Sequence, residues 1–115
     1  MKEFDYKLAK KLEGGIDNPY KGEVKINILP YVERNALLKA MNFKIGSDGA
    51  ADFQDNLEAS LKLSSAVKEN VKSLKVYKGK KLFTDFDELD YDQDVGLLYN
   101  ELGLVLMRGV NLGNG

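Results

Sequence analysis

The chain contains no cysteine, no histidine and no tryptophan, and only two of its 115 residues are proline. Without cysteine there is no disulfide framework, thiolate nucleophile, iron–sulfur ligation or cysteine-held zinc. Without histidine the commonest general base and metal ligand is missing as well. An enzyme built from this sequence would work with carboxylates, lysine, tyrosine or serine alone, so no enzymatic role and no cofactor are expected. No apolar run approaches a membrane span; the longest apolar-rich stretch is Leu102–Met107. The first residues, Met1–Tyr6, lack the apolar stretch of a secretory signal, so a soluble protein of the cytoplasm is expected, with no membrane partner. Arginine is scarce: Arg34 and Arg108 are the only two among 17 cationic residues. Lysine serves less well than arginine in bidentate phosphate or base contacts, and no nucleic-acid partner is expected.

What remains is the composition of one globular domain, 43% hydrophobic and 30% charged. The expected domain spans 1–115, with a flexible tail at about 110–115. Net charge is −1, unevenly placed. Residues 1–83 carry sixteen Lys/Arg against eleven Asp/Glu. From residue 84 onward Arg108 stands alone against Asp85, Asp87, Glu88, Asp90, Asp92, Asp94 and Glu101. Such a chain either folds its acidic end onto its basic body or presents two differently charged surfaces.

Alternation of Phe4, Tyr6 and Leu8 with charged residues reads as a strand, although Phe4, Leu8 and Leu12 would also make a helical stripe. Gly14-Gly15 and Asp17-Asn18-Pro19 mark a loop, and Val24, Ile26 and Ile28 define a second strand, completing a hairpin. Helices are expected over Tyr31–Phe43 and about 50–71. The apolar face of the first is Tyr31, Leu37, Leu38 and Met41, with Arg34 near its middle. Arg34 reads as a snorkelling side chain or as a half-buried partner for a carboxylate of the acidic end. In the second helix Phe53, Leu57, Leu61, Ser64, Val67 and Val71 share one side, with Lys62, Ser65 and Glu69 away from it. A short hairpin follows around Lys78-Gly79-Lys80. Thr84 with Asp87 resembles a capping box opening a helical turn. A last helix over about Asp92–Arg108 closes at Gly109. The order β-β-α-α-β-β-α implies an α+β fold, with helices on one side of a small antiparallel sheet.

Two chemical motifs merit weighing. Ser65-Ala66-Val67-Lys68 has the S-x-x-K spacing of lysine-activated serine nucleophiles, without their companion motifs; it fits the wet side of an amphipathic helix better. Asp90, Asp92, Asp94 and Glu101 stand at positions 1, 3, 5 and 12 of a calcium loop. Val95 replaces the glycine of its sharp turn and Leu98 a polar position, so no metal site is expected. The aspartates fit a helix N-terminus instead. Glycines in the last segment form no phosphate-binding G-x-G-x-x-G after a strand.

The last helix is apolar on two sides. Val95, Leu98, Leu102, Val105 and Leu106 form a core stripe. Leu97, Leu104 and Met107 lie roughly opposite, with Gly96 and Gly103 beside them to let another backbone approach. These five residues are the expected partner-binding set, for self-association or another chain.

The segments Leu29-Pro30-Tyr31-Val32-Glu33-Arg34, Tyr77–Leu82, Phe86–Asp92 and Arg108–Asn114 together resemble the small tail assembly chaperones of long-tailed bacteriophages and prophages. The likeness runs over most of residues 22–114. It implies a non-enzymatic protein that binds the tape-measure protein, helps recruit the major tail protein and is absent from the mature virion. Such proteins are often also made in a frameshifted, extended form. Two alternatives come from other classes: a structural virion component of neck or tail-terminator type, and a calcium-responsive module built on Asp90–Glu101.

Overall fold

The computed structural model describes residues 2–40 and 53–108. Strand β1 (Glu3–Lys7) pairs antiparallel with β2 (Lys21–Asn27), Tyr6 facing Val24 and Phe4 facing Ile26. Strand β3 (Val71–Lys78) lies on the other side of β2, and β4 (Lys81–Phe83) closes the order β1-β2-β3-β4. Between β2 and β3 come helices α1 (Tyr31–Ala40) and α2 (Phe53–Asn70). After β4 follow the one-turn α3 (Phe86–Leu89) and then α4 (Val95–Arg108). The fold is α+β, as the patterning implies.

Period-two alternation decides which side of the sheet is dry. Val24, Ile26, Leu74, Val76 and Phe83 are buried, while Lys21, Glu23, Lys25, Lys75 and Tyr77 stand on the opposite, exposed face. Leu98, Leu102 and Leu106 of α4 and Val67 of α2 complete the core together with Tyr20 and Leu89. A bulge between Lys25 and Ile26 shifts the β2–β3 register. Earlier in that pairing the two backbones touch closely at Gly22, whose φ is +125°. A Cβ there would lie 2.0 Å from the Lys75 carbonyl oxygen, so only glycine fits.

Several elements differ from expectation. The turn at α3 is capped one residue later than Thr84 suggests: Asp85, in extended conformation, accepts the Glu88 amide at 3.0 Å. Helix α4 starts at Val95, because residues 90–94 form turns closed by backbone bonds back to Phe86, Glu88 and Leu89 and by the Asp92 carboxylate on the Asp94 amide. In α2 the inward stripe is Ala59, Leu63 and Val67, flanked by half-buried Ala66, whereas Leu57 and Leu61 are exposed. A helix with leucines on two sides has two candidate faces, and the small alanines mark the one that packs closely. No residue of α1 is buried. Leu37 is its half-buried contact with the core, while Tyr31 and Leu38 are exposed. Met41, Phe43, the start of the second helix at 50, the Gly109 cap and the tail at 110–115 lie outside the described residues.

Candidate partner-binding surface

The acidic end folds onto the basic body. Lys68 of α2 holds Asp90 at 2.7 Å, and the Tyr99 hydroxyl donates to the same carboxylate. Lys78, at the end of β3, reaches Asp92 at 3.0 Å and Asp94 at 2.7 Å. Tyr20 is fully buried, and its hydroxyl donates to Asp92. Asp92 also accepts the Asp94 amide at 3.2 Å, which shapes the turn before α4. The Tyr20 and Lys78 bonds hold Asp92 below the ordinary carboxylate range, against a smaller opposing effect of desolvation. For Asp90, desolvation pushes upward, but Lys68 and Tyr99 together outweigh it and the net shift is down. Tyr20 and Tyr99 are pushed well above the ordinary tyrosine range, first by burial and then by the carboxylates they bind. The bonds to Asp94 and Asp92 raise Lys78.

Glu101 faces another part of the molecule. Only 7% exposed, it accepts the Tyr6 hydroxyl at 2.7 Å, the Ala9 amide at 2.8 Å and the Asn18 side-chain amide at 2.8 Å. Asn18 in turn donates to the Ala9 carbonyl and accepts the Tyr20 amide. This carboxylate pins the long β1–β2 connection to the middle of α4. The four acids spaced like calcium ligands therefore divide among three sets of partners: Asp90 with Lys68 and Tyr99, Asp92 and Asp94 together on Lys78, and Glu101 with Tyr6, Ala9 and Asn18. Among the described residues no group of three or more metal-ligating side chains is placed to hold an ion. Lys68 of the S-x-x-K spacing is engaged by Asp90 and lies 5.8 Å over the Tyr99 ring. Nothing in sequence spacing marks Tyr6, Asn18 or Tyr20 as partners of acids more than seventy residues away.

The second side of α4 needs correcting in part. Gly103 does permit close approach, but the approaching group is Leu63 of α2; a Cβ on Gly103 would lie 2.4 Å from a Leu63 methyl. Met107, like Leu37, packs against the Ala59–Leu63 cluster. Both positions are thus used within the chain, because α2 lies across this side of α4. Gly96 is exposed, with open space around it, and Leu97 and Leu104 are half-buried. Arg34 Nη1 donates to the Arg108 carbonyl at 3.5 Å, while Nε is buried without a hydrogen-bond partner. No described carboxylate pairs with Arg34, and its guanidinium, with Nε buried and Nη1 on the last carbonyl of α4, is not the fully wetted head of the snorkelling reading either.

Helix α1 carries three of the large apolar side chains that stand open to water among the described residues. Tyr91 in the turn before α4 is more exposed than any of them, and Leu57 and Leu61 of α2 are more exposed than Leu38. Tyr31 is 71% exposed, Val32 75% and Leu38 46%. Tyr31 and Leu38, seven residues apart, form a stripe beside the inward Leu37. Sequence periodicity places them on the packed face of α1, so their exposure could not be found that way. No described helix is long and apolar enough to cross a membrane. No protein-family model, curated protein or solved structure matches the chain.

Proposed function

We propose that the protein is a non-enzymatic binding protein that offers apolar helix surface to a helical client, acting as a phage tail assembly chaperone on the tape-measure protein. The observation that carries this reading is α1, a helix with no buried residue whose Tyr31, Val32 and Leu38 stand in water. A holdase for a long amphipathic helix needs such a surface, read by the client through anchors two turns apart. Leu97 and Leu104, half-exposed on α4, extend the proposed binding set. The chemically capable groups singled out in the sequence, Lys68, Asp90, Asp92, Asp94 and Glu101, serve as internal ties, which favours binding over catalysis. Recruitment of the major tail protein and absence from the mature virion belong to the same proposal and rest on the family resemblance.

Co-expression with the proposed tape-measure client tests it. The expected result is a soluble complex that Leu38→Glu and Val32→Lys weaken. A tape-measure protein that aggregates equally with and without this chain refutes the proposal. Recovery of the chain as a stoichiometric part of purified particles would favour the virion-component alternative.

A further inference from the structure

Helix α2 has an outward surface that the proposed client site does not use. A shallow groove along it is lined by Glu58, Leu61, Lys62, Ser65, Ala66 and Glu69. At its edge Leu61 is 63% exposed, and Leu57, one turn earlier, is 56% exposed. Lys62 and Glu69 are seven residues apart, which is two turns, so they share this side of the helix. The midpoint between them falls at Ser65–Ala66, the two small side chains of the groove.

This spacing is self-complementary under one operation. An antiparallel second α2, related by a two-fold axis through the Ser65–Ala66 midpoint, sets Lys62 of each copy opposite Glu69 of the other. The same operation leaves Leu61 of each copy at the rim of the crossing, about 90° around α2 from the Lys62–Glu69 direction, and small side chains at the crossing let the axes approach. A parallel pairing in register would set like charges face to face instead. Within one chain Lys62 reaches Glu58 at 3.8 Å in a solvent-exposed pair, too loose to hold the ammonium away from a second copy.

We propose that two copies of this protein associate through α2, with reciprocal Lys62–Glu69 pairs around Ser65–Ala66 and Leu61 as the apolar contact at the rim. The inference goes beyond the client-binding reading and does not depend on it, since it concerns a different helix and needs no client. Sedimentation equilibrium of the full chain at low salt tests it, with Lys62→Glu, Glu69→Lys, the double exchange, and Leu61→Ser. Circular dichroism on each variant checks the fold. A wild-type dimer is expected below about 1 mM, the affinity range of a small interface. Each single charge exchange acts twice in a two-fold dimer and should weaken it at least about tenfold. The double exchange should restore it, and Leu61→Ser should weaken it without touching charge. A wild-type chain that stays monomeric over this range overturns the proposal. So does a dimer that the single exchanges or Leu61→Ser leave unchanged, or one that the double exchange fails to recover. Should a charge variant fail to fold, the wild-type and Leu61→Ser measurements decide the matter alone.

Discussion

Replacing Glu101 by glutamine changes one oxygen for a nitrogen and little in shape, and the structure says what that exchange costs. Oε2 accepts from both Tyr6 and Ala9, and Oε1 accepts from Asn18. Glutamine can keep its oxygen at the first position, but its amino group then faces the Asn18 amino group, donor against donor. Asn18 cannot turn over to help, because its oxygen holds the Tyr20 amide and its nitrogen also serves the Ala9 carbonyl. The variant thus loses one charge-assisted hydrogen bond and weakens two others, at about 1.5–3 kcal/mol for a bond to a charged group. Relief of carboxylate desolvation offsets part of this, leaving a net loss of about 1–3 kcal/mol. Glu101→Ala, which strands all three donors, should cost about 3–5 kcal/mol. Against a typical total of about 5–15 kcal/mol, either loss is measurable. Urea unfolding should show a lower midpoint at unchanged slope. A double-mutant cycle with Tyr6→Phe should show coupling, since the two groups touch. A Glu101→Gln protein as stable as wild type would refute the view that this carboxylate pins the β1–β2 connection to α4.

Three further outcomes follow from the same structure. Gly22→Ala should cost more than about 2 kcal/mol in thermal or urea unfolding, because its φ of +125° and the Lys75 carbonyl both exclude a Cβ. Stability should be flat across neutral pH, as no histidine titrates there. Asp90 and Asp92 are lowered in the folded state, so their contribution is present above the unfolded carboxylate value of about 4 and lost as pH falls through their folded values. Tyr6, Tyr20, Tyr99 and Lys78 are raised, so theirs is present below about 10 and lost as pH climbs through their folded values; a pH series of urea midpoints checks both limbs. Leu104→Glu should leave the monomer folded by circular dichroism while weakening client binding, since a carboxylate stays solvated on a half-open face but not in a dry interface. Outright unfolding would assign Leu104 to the protein's own core.

Local periodicity carries the strands, the first stripe of α4 and the α+β class, because each depends on residues within a few positions of one another. It fails where two faces of one helix are both apolar. In α2, leucines at 57 and 61 outweigh alanines at 59 and 66 by hydropathy, yet the alanines lie on the packed side with Leu63. Gly103 shows a related limit: its sequence context indicates close approach, but only the three-dimensional path of α2 identifies Leu63 as the neighbour. The charge asymmetry along the chain leaves two arrangements open, acidic end against basic body or two differently charged surfaces, and does not choose Lys68 and Lys78 from fifteen lysines. Glu101 is the clearest case. Its spacing after three aspartates suggests a ligand set, while its partners are tyrosine, asparagine and backbone from the opposite end of the chain.

The measurement that bears most directly on the proposed function is amide chemical-shift mapping of the labelled chain, titrated with a helical segment of the tape-measure protein that the proposal pairs with it. The expected result is saturable binding, with the largest shifts over Tyr31–Leu38 of α1 and around Leu97 and Leu104 of α4. Absence of binding, or shifts confined to the outer face of the sheet around Lys21, Lys75 and Tyr77, would contradict it.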